Sequence, residues 1–312
     1  MITKSRFLQG LQCKKLFWIS TFSSHLLSSD SELQDFIYQQ GHEIGDFAKR
    51  LFSDGVDAQT DEFMTQIYYT KQLLNDQGVI FEASFLFERL FCRVDILEYT
   101  NEGWNIIEVK SSTSVKPIHI DDISFQYFIL SKLNLNINSC KVMYLNKSYQ
   151  RQDHLDINQL FCFEDVTQSV IDNYDRVSQM VVELSNVKKQ SYMPDIPIGK
   201  HCFSPYQCSA CNYCWYDVPR PSIFDVRDLS MDHKFLAYYK NKFCIDDLSI
   251  DQFSKKIQKI QLTAFQNSVD YINTSAVQSF FKQFRFPLTF IDFECYQQAI
   301  PKFKQERVYQ QI

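Results

Sequence analysis

The chain has 312 residues, 45% of them hydrophobic, and carries 32 Lys and Arg against 37 Asp and Glu for a net charge of −5. That length and apolar content suit one large or two ordinary packed domains and exclude a disordered chain, while the acidic balance excludes a broadly basic, duplex-coating surface. No apolar stretch approaches roughly eighteen residues and no apolar region follows Met1 to Arg6, so the expectation is a cytoplasmic protein without a membrane span or secretion signal.

Residues 4–19 read as a helix, with Phe7, Leu8, Leu11, Leu16 and Phe17 at helical intervals and Cys13 within the run. A second helix is expected over about 32–52, on Phe36, Ile44, Phe47, Ala48 and Leu51, stopping before Asp54-Gly55, and a third over 64–75. Residues 79–85 open a run of strands that continues through Arg93-Val-Asp95-Ile-Leu-Glu98 and Trp104-Asn-Ile-Ile-Glu108-Val-Lys110. After Pro117, Asp121-Asp122 can cap a helix through Leu133; residues 140–145 read as a strand, and more helix follows near 165–187. The order describes a mixed α/β core with a helical collar. Pro194, Pro197 and Pro205 put the following cysteine-rich stretch on loop, and residues 225–284 look all-helical. No phosphate-cradling glycine motif occurs among the seven glycines, so a nucleotide-triphosphate or dinucleotide site is not expected.

Tyr99-Thr-Asn-Glu-Gly103 supplies the turn of a hairpin. With Asn101 and Glu102 at its centre, Thr100 pairs with Gly103, Tyr99 with Trp104, and the series ends on Asp95 facing Glu108. Cross-strand partners lie roughly 4.5 to 5.5 Å apart at Cβ, and the two-residue period places Lys110 on the face of Glu108. Carboxylates that close call for a cation, and Mg²⁺ or Mn²⁺ is the usual occupant of an oxygen-only site completed by water and phosphate. Lys110 would then orient an attacking water or steady phosphate charge. A solvated hairpin face carries the same residues without any metal, and the spacing alone does not separate the two readings.

Four of the ten cysteines, Cys202, Cys208, Cys211 and Cys214, fall in one short stretch. Such density suits structural zinc or an iron-sulfur cluster, whereas the scattered Cys92, Cys140, Cys162 and Cys244 read as small core residues. One crowded group lacks the second close pair of a zinc ribbon, which leaves the lone Cys13 as a possible remote partner.

Together these features resemble the RecB-like, iron-sulfur branch of the PD-(D/E)xK nucleases, the group that includes AddB and the CRISPR-associated RecB-like exonucleases. The nuclease motif corresponds to Asp95 and Glu108-Val109-Lys110, and the glutamine-tyrosine helix motif to Gln126 and Tyr127. Within that branch the chain is most similar to bacterial proteins carrying the domain of unknown function 2779, through Ser5 to Cys13, Gly41 to Gly45, Leu145 to Tyr149, and His201 to Trp215. The resemblance implies a restriction-endonuclease-like core, a mixed sheet flanked by helices with an iron-sulfur staple, over 1–218. A helical linker over 219–285 and the truncated start of a DEDD (RNase-T-like) exonuclease domain over 286–312 would follow. In that last part Asp292 and Glu294 sit on an expected strand at 286–296, and the acids of later strands are missing; an exposed strand with incidental acids is the alternative.

The implied activity is metal-dependent hydrolysis of DNA phosphodiesters, as an exonuclease on single-stranded ends, with Asp95, Glu108, Lys110, Gln126 and Tyr127 as catalytic residues. Asp95 and Glu108 would hold Mg²⁺ or Mn²⁺. The histidine that related nucleases use as a ligand corresponds to Gly45, with His42 three positions away, and Glu82 is the residue that could stand in for it. Cys13, Cys202, Cys208 and Cys214 would bind a [4Fe-4S] cluster, or zinc, with Cys211 as the spare. The competing expectation is a catalytically decayed nucleic-acid-binding or scaffolding module built around the same structural staple.

Overall fold

The β-branched and aromatic residues between Val79 and Lys110 form the centre of a seven-stranded sheet in the computed structural model, which describes residues 1–28 and 32–312. The chain divides into two compact units, residues 1–196 with 295–312, and residues 197–294. The first unit runs β1 (Ile2–Thr3), α1 (Lys4–Gln12), α2 (Lys14–Phe22), α3 (Glu32–Lys49), β2 (Val56–Asp57), α4 (Phe63–Leu73), β3 (Val79–Phe87) and β4 (Leu90–Thr100). It continues with β5 (Gly103–Lys110), α5 (Pro117–Lys132), β6 (Ile137–Leu145), α6 (Ile157–Leu160), β7 (Phe161–Asp165), α7 (Thr167–Asp172) and α8 (Tyr174–Lys189).

Sheet order is β2-β3-β4-β5-β6-β7, with β1 alongside β4. β3, β4 and β5 form an antiparallel meander, whereas β5 and β6 are parallel and joined through α5. Parallel neighbours need a crossover of this kind, and α5 therefore lies over the strand that carries Glu108. The alternation of the strands divides the core. Ile80, Val94, Ile106 and Val142 pack with Phe7, Phe17, Phe125 and Leu184 from the helices of one face. Phe81, Ile96, Ile107 and Met143 pack with Ile44 and Ala48 of α3 and with Ala299, Ile300 and Val308 of the C-terminal segment on the other. The result is a mixed α/β core, a sheet flanked by helices, as the sequence predicts. Among the described residues no helix is long and apolar enough to cross a membrane.

Three elements depart from expectation. The single helix read over 4–19 is two, broken at Cys13, whose extended backbone (φ −163°, ψ 123°) ends α1 and begins α2. Its N–H closes α1 on the Gln9 carbonyl at 2.8 Å and its own carbonyl accepts from Phe17 at 3.0 Å, so both helix ends are satisfied there. α5 begins at Pro117, earlier than an Asp121-Asp122 cap would allow, because proline's fixed φ and missing N–H suit the first helical position. Asp122 is thereby freed from capping and carried one turn inward. Finally, residues 286–296 form no strand: Tyr296 at the end exchanges backbone hydrogen bonds with Ile312 at 3.1 and 3.0 Å, whereas Phe290, Ile291 and Phe293 stay exposed.

The second unit contains α9 (Cys211–Cys214), α10 (Met231–Tyr239), α11 (Lys256–Asn267) and α12 (Thr274–Phe281). Ile223, Val226, Ile245, Leu248, Phe253 and Leu262 make its core. Beside the cysteines, Trp215 makes edge contacts with Phe203, Phe224 and Phe235.

Candidate active site

A tight turn sets the hairpin register. Thr100 pairs with Gly103 and the ladder runs to Ile96 with Ile107, so the next positions in register are Asp95 and Glu108. There the backbone pairing stops, and the Asp95 carboxylate instead accepts the Val109 N–H at 2.8 Å. On the other side of β4 the strand is also disturbed. Glu82, between the pairs Phe81–Ile96 and Ala83–Val94, has a positive φ of 53°. Left-handed backbone at a non-glycine strand position costs of order 1–3 kcal/mol and clusters at functional sites. Its effect is visible in the packing: Ile80 and Ala83 share one face, as do Val94 and Leu97, so the alternation slips at Glu82 and Asp95.

Glu108 is the hub. Its side chain is 2% exposed, and Lys110 Nζ and Lys4 Nζ both donate to its Oε1, at 2.6 and 2.7 Å. Gln126 Nε2 donates to its Oε2 at 2.6 Å. Asp122, one helical turn before Gln126 and on the same face of α5, joins the same network. Its Oδ2 accepts from Lys110 at 2.6 Å, its Oδ1 accepts from Gln126 at 3.2 Å, and Lys4 Nζ lies 3.4 Å from Oδ1. Three carboxylates, Asp95, Glu108 and Asp122, are thus gathered with two ammonium groups.

Burial and this imbalance shape the acidities. Burial, followed by the Glu108 charge, raises Asp95 to about 7. Burial pushes Glu108 in the same direction, but Lys110 and Lys4 outweigh it and hold Glu108 well below the usual carboxylate range. Burial and the Glu108 charge raise Asp122. Lys110 and Lys4 lose to burial less than they gain from Asp122 and Glu108, and both stay firmly protonated. His119 is buried on the first turn of α5 and accepts the Lys116 N–H on Nδ1 at 3.2 Å. Burial, then the charges of Lys110 and Lys116, lowers it to about 4, so it is a neutral acceptor.

The structure therefore joins Glu108, Lys110 and Gln126 in one hydrogen-bond network, with Asp95 beside it, tied to the Val109 N–H and facing the Glu108 charge. Tyr127, about 100° further round α5, turns away into the core and meets Tyr174 edge-on with ring centroids 6.3 Å apart. Glu82 is committed to Lys49 of α3 at 3.0 Å, and Lys49 also reaches Asp57 at 2.8 Å. His42 is exposed, and a Cβ at Gly45 would meet nothing within 4 Å. Two members of the network, Lys4 and Asp122, were not anticipated. Asp122 was detectable as the residue four before Gln126 on one helical face, whereas Lys4 is 104 residues from Glu108 and has no local signal.

The donor set fits a hard divalent cation. Every candidate ligand is an oxygen, three acids stand against two ammoniums, and the buried Gln126 Oε1 has no hydrogen-bond partner. Among the described residues no three His, Cys, Asp or Glu side chains converge as a cage. One or two carboxylates completed by water and phosphate is the mode of binding that Mg²⁺ favours.

The cysteines are distributed over both units. Cys13 belongs to the first; Cys202, Cys208, Cys211 and Cys214 belong to the second. In the second unit the Cys208 N–H donates to the Cys202 carbonyl at 2.8 Å and the Cys211 N–H to the Cys208 carbonyl at 3.1 Å, which coils the segment tightly. The Cys211 thiol contacts the Cys202 carbonyl at 3.7 Å, and the buried Trp215 indole N–H has no partner.

No family model matches the chain, and no curated protein matches it. Among solved structures, the crystal structure of an alkaline exonuclease (LHK-Exo) from Laribacter hongkongensis matches with a TM-score of 0.27 and 11% identity, over 60% of this chain and 90% of that one. An overlap that loose assigns no residue, and the functional reading rests on the site.

Proposed function

We propose that this chain is a divalent-metal-dependent DNA nuclease that hydrolyses phosphodiesters, acting as an exonuclease on single-stranded ends. One observation carries the reading: Glu108 and Lys110 of one strand meet Gln126 and Asp122 of the crossover helix in one buried network, with Asp95 of the adjacent strand held beside it by the Val109 N–H. Asp95 and Glu108 are the residues that would hold Mg²⁺ or Mn²⁺. When bound, such a cation supplies Lewis acidity at a phosphoryl oxygen and lowers the pKa of water. The chain's own groups do the rest. Gln126 fixes the Glu108 carboxylate and leaves Oε1 as an acceptor for a water proton. Lys110 stays protonated and stabilises charge that develops on the phosphate, while the hydrogen bond from Val109 orients Asp95. Glu82 remains a candidate third ligand only by exchange of its Lys49 partner.

Cys13, Cys202, Cys208 and Cys214 are proposed ligands of a structural [4Fe-4S] cluster, with zinc as the alternative. Support comes from the coiled cysteine segment and from the Trp215 N–H, a donor suited to a sulfur acceptor. Protein purified anaerobically should be brown, with iron and sulfide that Cys208→Ser loses and Cys92→Ser keeps; a colourless protein holding zinc would exclude the cluster. For the nuclease, end-labelled single-stranded DNA should shorten with Mn²⁺, and Asp95→Asn and Glu108→Gln should each abolish the shortening. The ammonium groups lying on Glu108 favour the second reading, a binding module without catalysis. DNA binding with no cleavage in any divalent metal, unaffected by Asp95→Asn, would establish that reading instead.

A further inference from the structure

Lys110 by itself accounts for the lysine that a site of this kind needs. A second ammonium on the same carboxylate oxygen does not follow from holding Glu108 in place. Lys4 Nζ lies 2.7 Å from Glu108 Oε1 while Lys110 Nζ lies 2.6 Å from that atom, so two like charges are held against their mutual repulsion. Several features fix Lys4 there. β1 pairs with β4 through Ile2–Leu90 and Thr3–Phe91, and the Thr3 side chain caps α1 by accepting the Arg6 N–H. Lys4 is therefore the first helical residue of a segment anchored at both ends beside the site.

Exposure distinguishes the partners. The Glu108 and Asp122 side chains are 2% and 4% exposed, whereas those of Lys4 and Lys110 are 25% and 22% exposed. The acids are the more deeply buried, and the solvent-facing part of the site belongs to the two lysine side chains. Charge gives the same result. With all three acids ionised, as metal binding requires, they exceed the two lysines by one negative charge; a divalent cation turns this into an excess of one positive charge, which one phosphodiester neutralises. Without Lys4 the metal-loaded site is already neutral and has no net attraction for a phosphate.

Resting on the nuclease reading above, we propose that Lys4 is a phosphate-holding residue, its ligand being one phosphodiester of the nucleic-acid strand in the metal-loaded site. The alternative is a counter-ion that serves only the fold. The two differ in sign when metal and strand binding are measured separately on the full chain. Calorimetry without DNA would report Mn²⁺ affinity, anisotropy in Ca²⁺ would report binding of a short labelled single-stranded oligonucleotide, and cleavage in Mn²⁺ would give KM and kcat.

Lys4→Met should weaken oligonucleotide binding and raise KM by about tenfold, the loss of one charged hydrogen bond, while Mn²⁺ affinity holds or rises. Lys4→Arg should restore oligonucleotide binding. Asp122→Asn, which removes a negative charge, should move the pair the other way, with Mn²⁺ weaker and the oligonucleotide no weaker. If Lys4→Met does not fold, Lys4→Gln carries the same expectation. Parallel losses of metal and oligonucleotide binding that Lys4→Arg does not restore would overturn the proposal. So would unchanged oligonucleotide binding in a Lys4→Met protein that still cleaves. A wild-type chain that neither binds Mn²⁺ nor cleaves would overturn the nuclease reading and this inference together.

Discussion

Lys110→Met tests the energetics of the network most directly. Lys110 Nζ lies 2.6 Å from both Glu108 Oε1 and Asp122 Oδ2, and these acids are all but sealed from solvent. Removing one partner of a buried pair costs about 3–5 kcal/mol because the other charge is left uncompensated. Here Lys4 and Gln126 still serve Glu108, which puts the expected loss at the lower end, about 3 kcal/mol at neutral pH. At about 2–4 °C per kcal/mol for a domain of this size class, the melting temperature should fall by about 6–12 °C. The pH dependence has a definite sign. Lys110 and Lys4 depress the pKa of Glu108, a contribution present above the unfolded carboxylate range and lost as pH falls below it. The gap between wild type and variant should therefore hold from pH 7.5 down to about pH 5 and narrow only as pH falls further, below the ordinary carboxylate range, toward about pH 3. Thermal melts in EDTA across that range are the assay, with Glu108→Gln as the second arm of a double-mutant cycle. A loss below about 1 kcal/mol, or a gap that widens on acidification, would refute the reasoning.

Three further outcomes are expected. Burial and the Glu108 charge raise Asp95 to about 7, so Mn²⁺ affinity by calorimetry should climb as pH rises toward 7 and level off above it; a flat profile would remove Asp95 as a ligand. His119 is held down to about 4, chiefly by burial, so its contribution to stability is present above its unfolded value and lost as pH falls toward 4. Urea titrations of His119→Gln should show a shallower acid limb than wild type over that window. In Gly10→Ala the new Cβ would meet Leu184 Cδ2 at 2.5 Å, so α1 must shift from α8; a loss of about 1–3 kcal/mol in denaturant unfolding is expected, and an unchanged midpoint would show that Leu184 yields freely.

Local rules explain which parts of this protein could be read from its residues. The tight turn after Thr100 sets the hairpin register, and the two-residue period of a strand places Glu108 and Lys110 on one face, so that half of the site was legible. The strand–helix–strand order over this stretch was legible from the alternation of patterns, whereas the parallel pairing of β5 with β6, which puts Gln126 over Glu108, came from the fold. Capping chemistry misled at Asp122 because Pro117 opens the helix earlier, and the resulting phase turns the carboxylate toward Lys110. Apolar alternation misled at 286–296 because a strand also needs an edge to pair with. Lys4 was beyond local reading altogether. Its place beside Glu108 comes from β1 docking on β4, a long-range pairing that no spacing within the N-terminal segment encodes. Residue order thus set the turn, the periods and the chemistry available; packing across the sheet chose which distant charges share one buried oxygen.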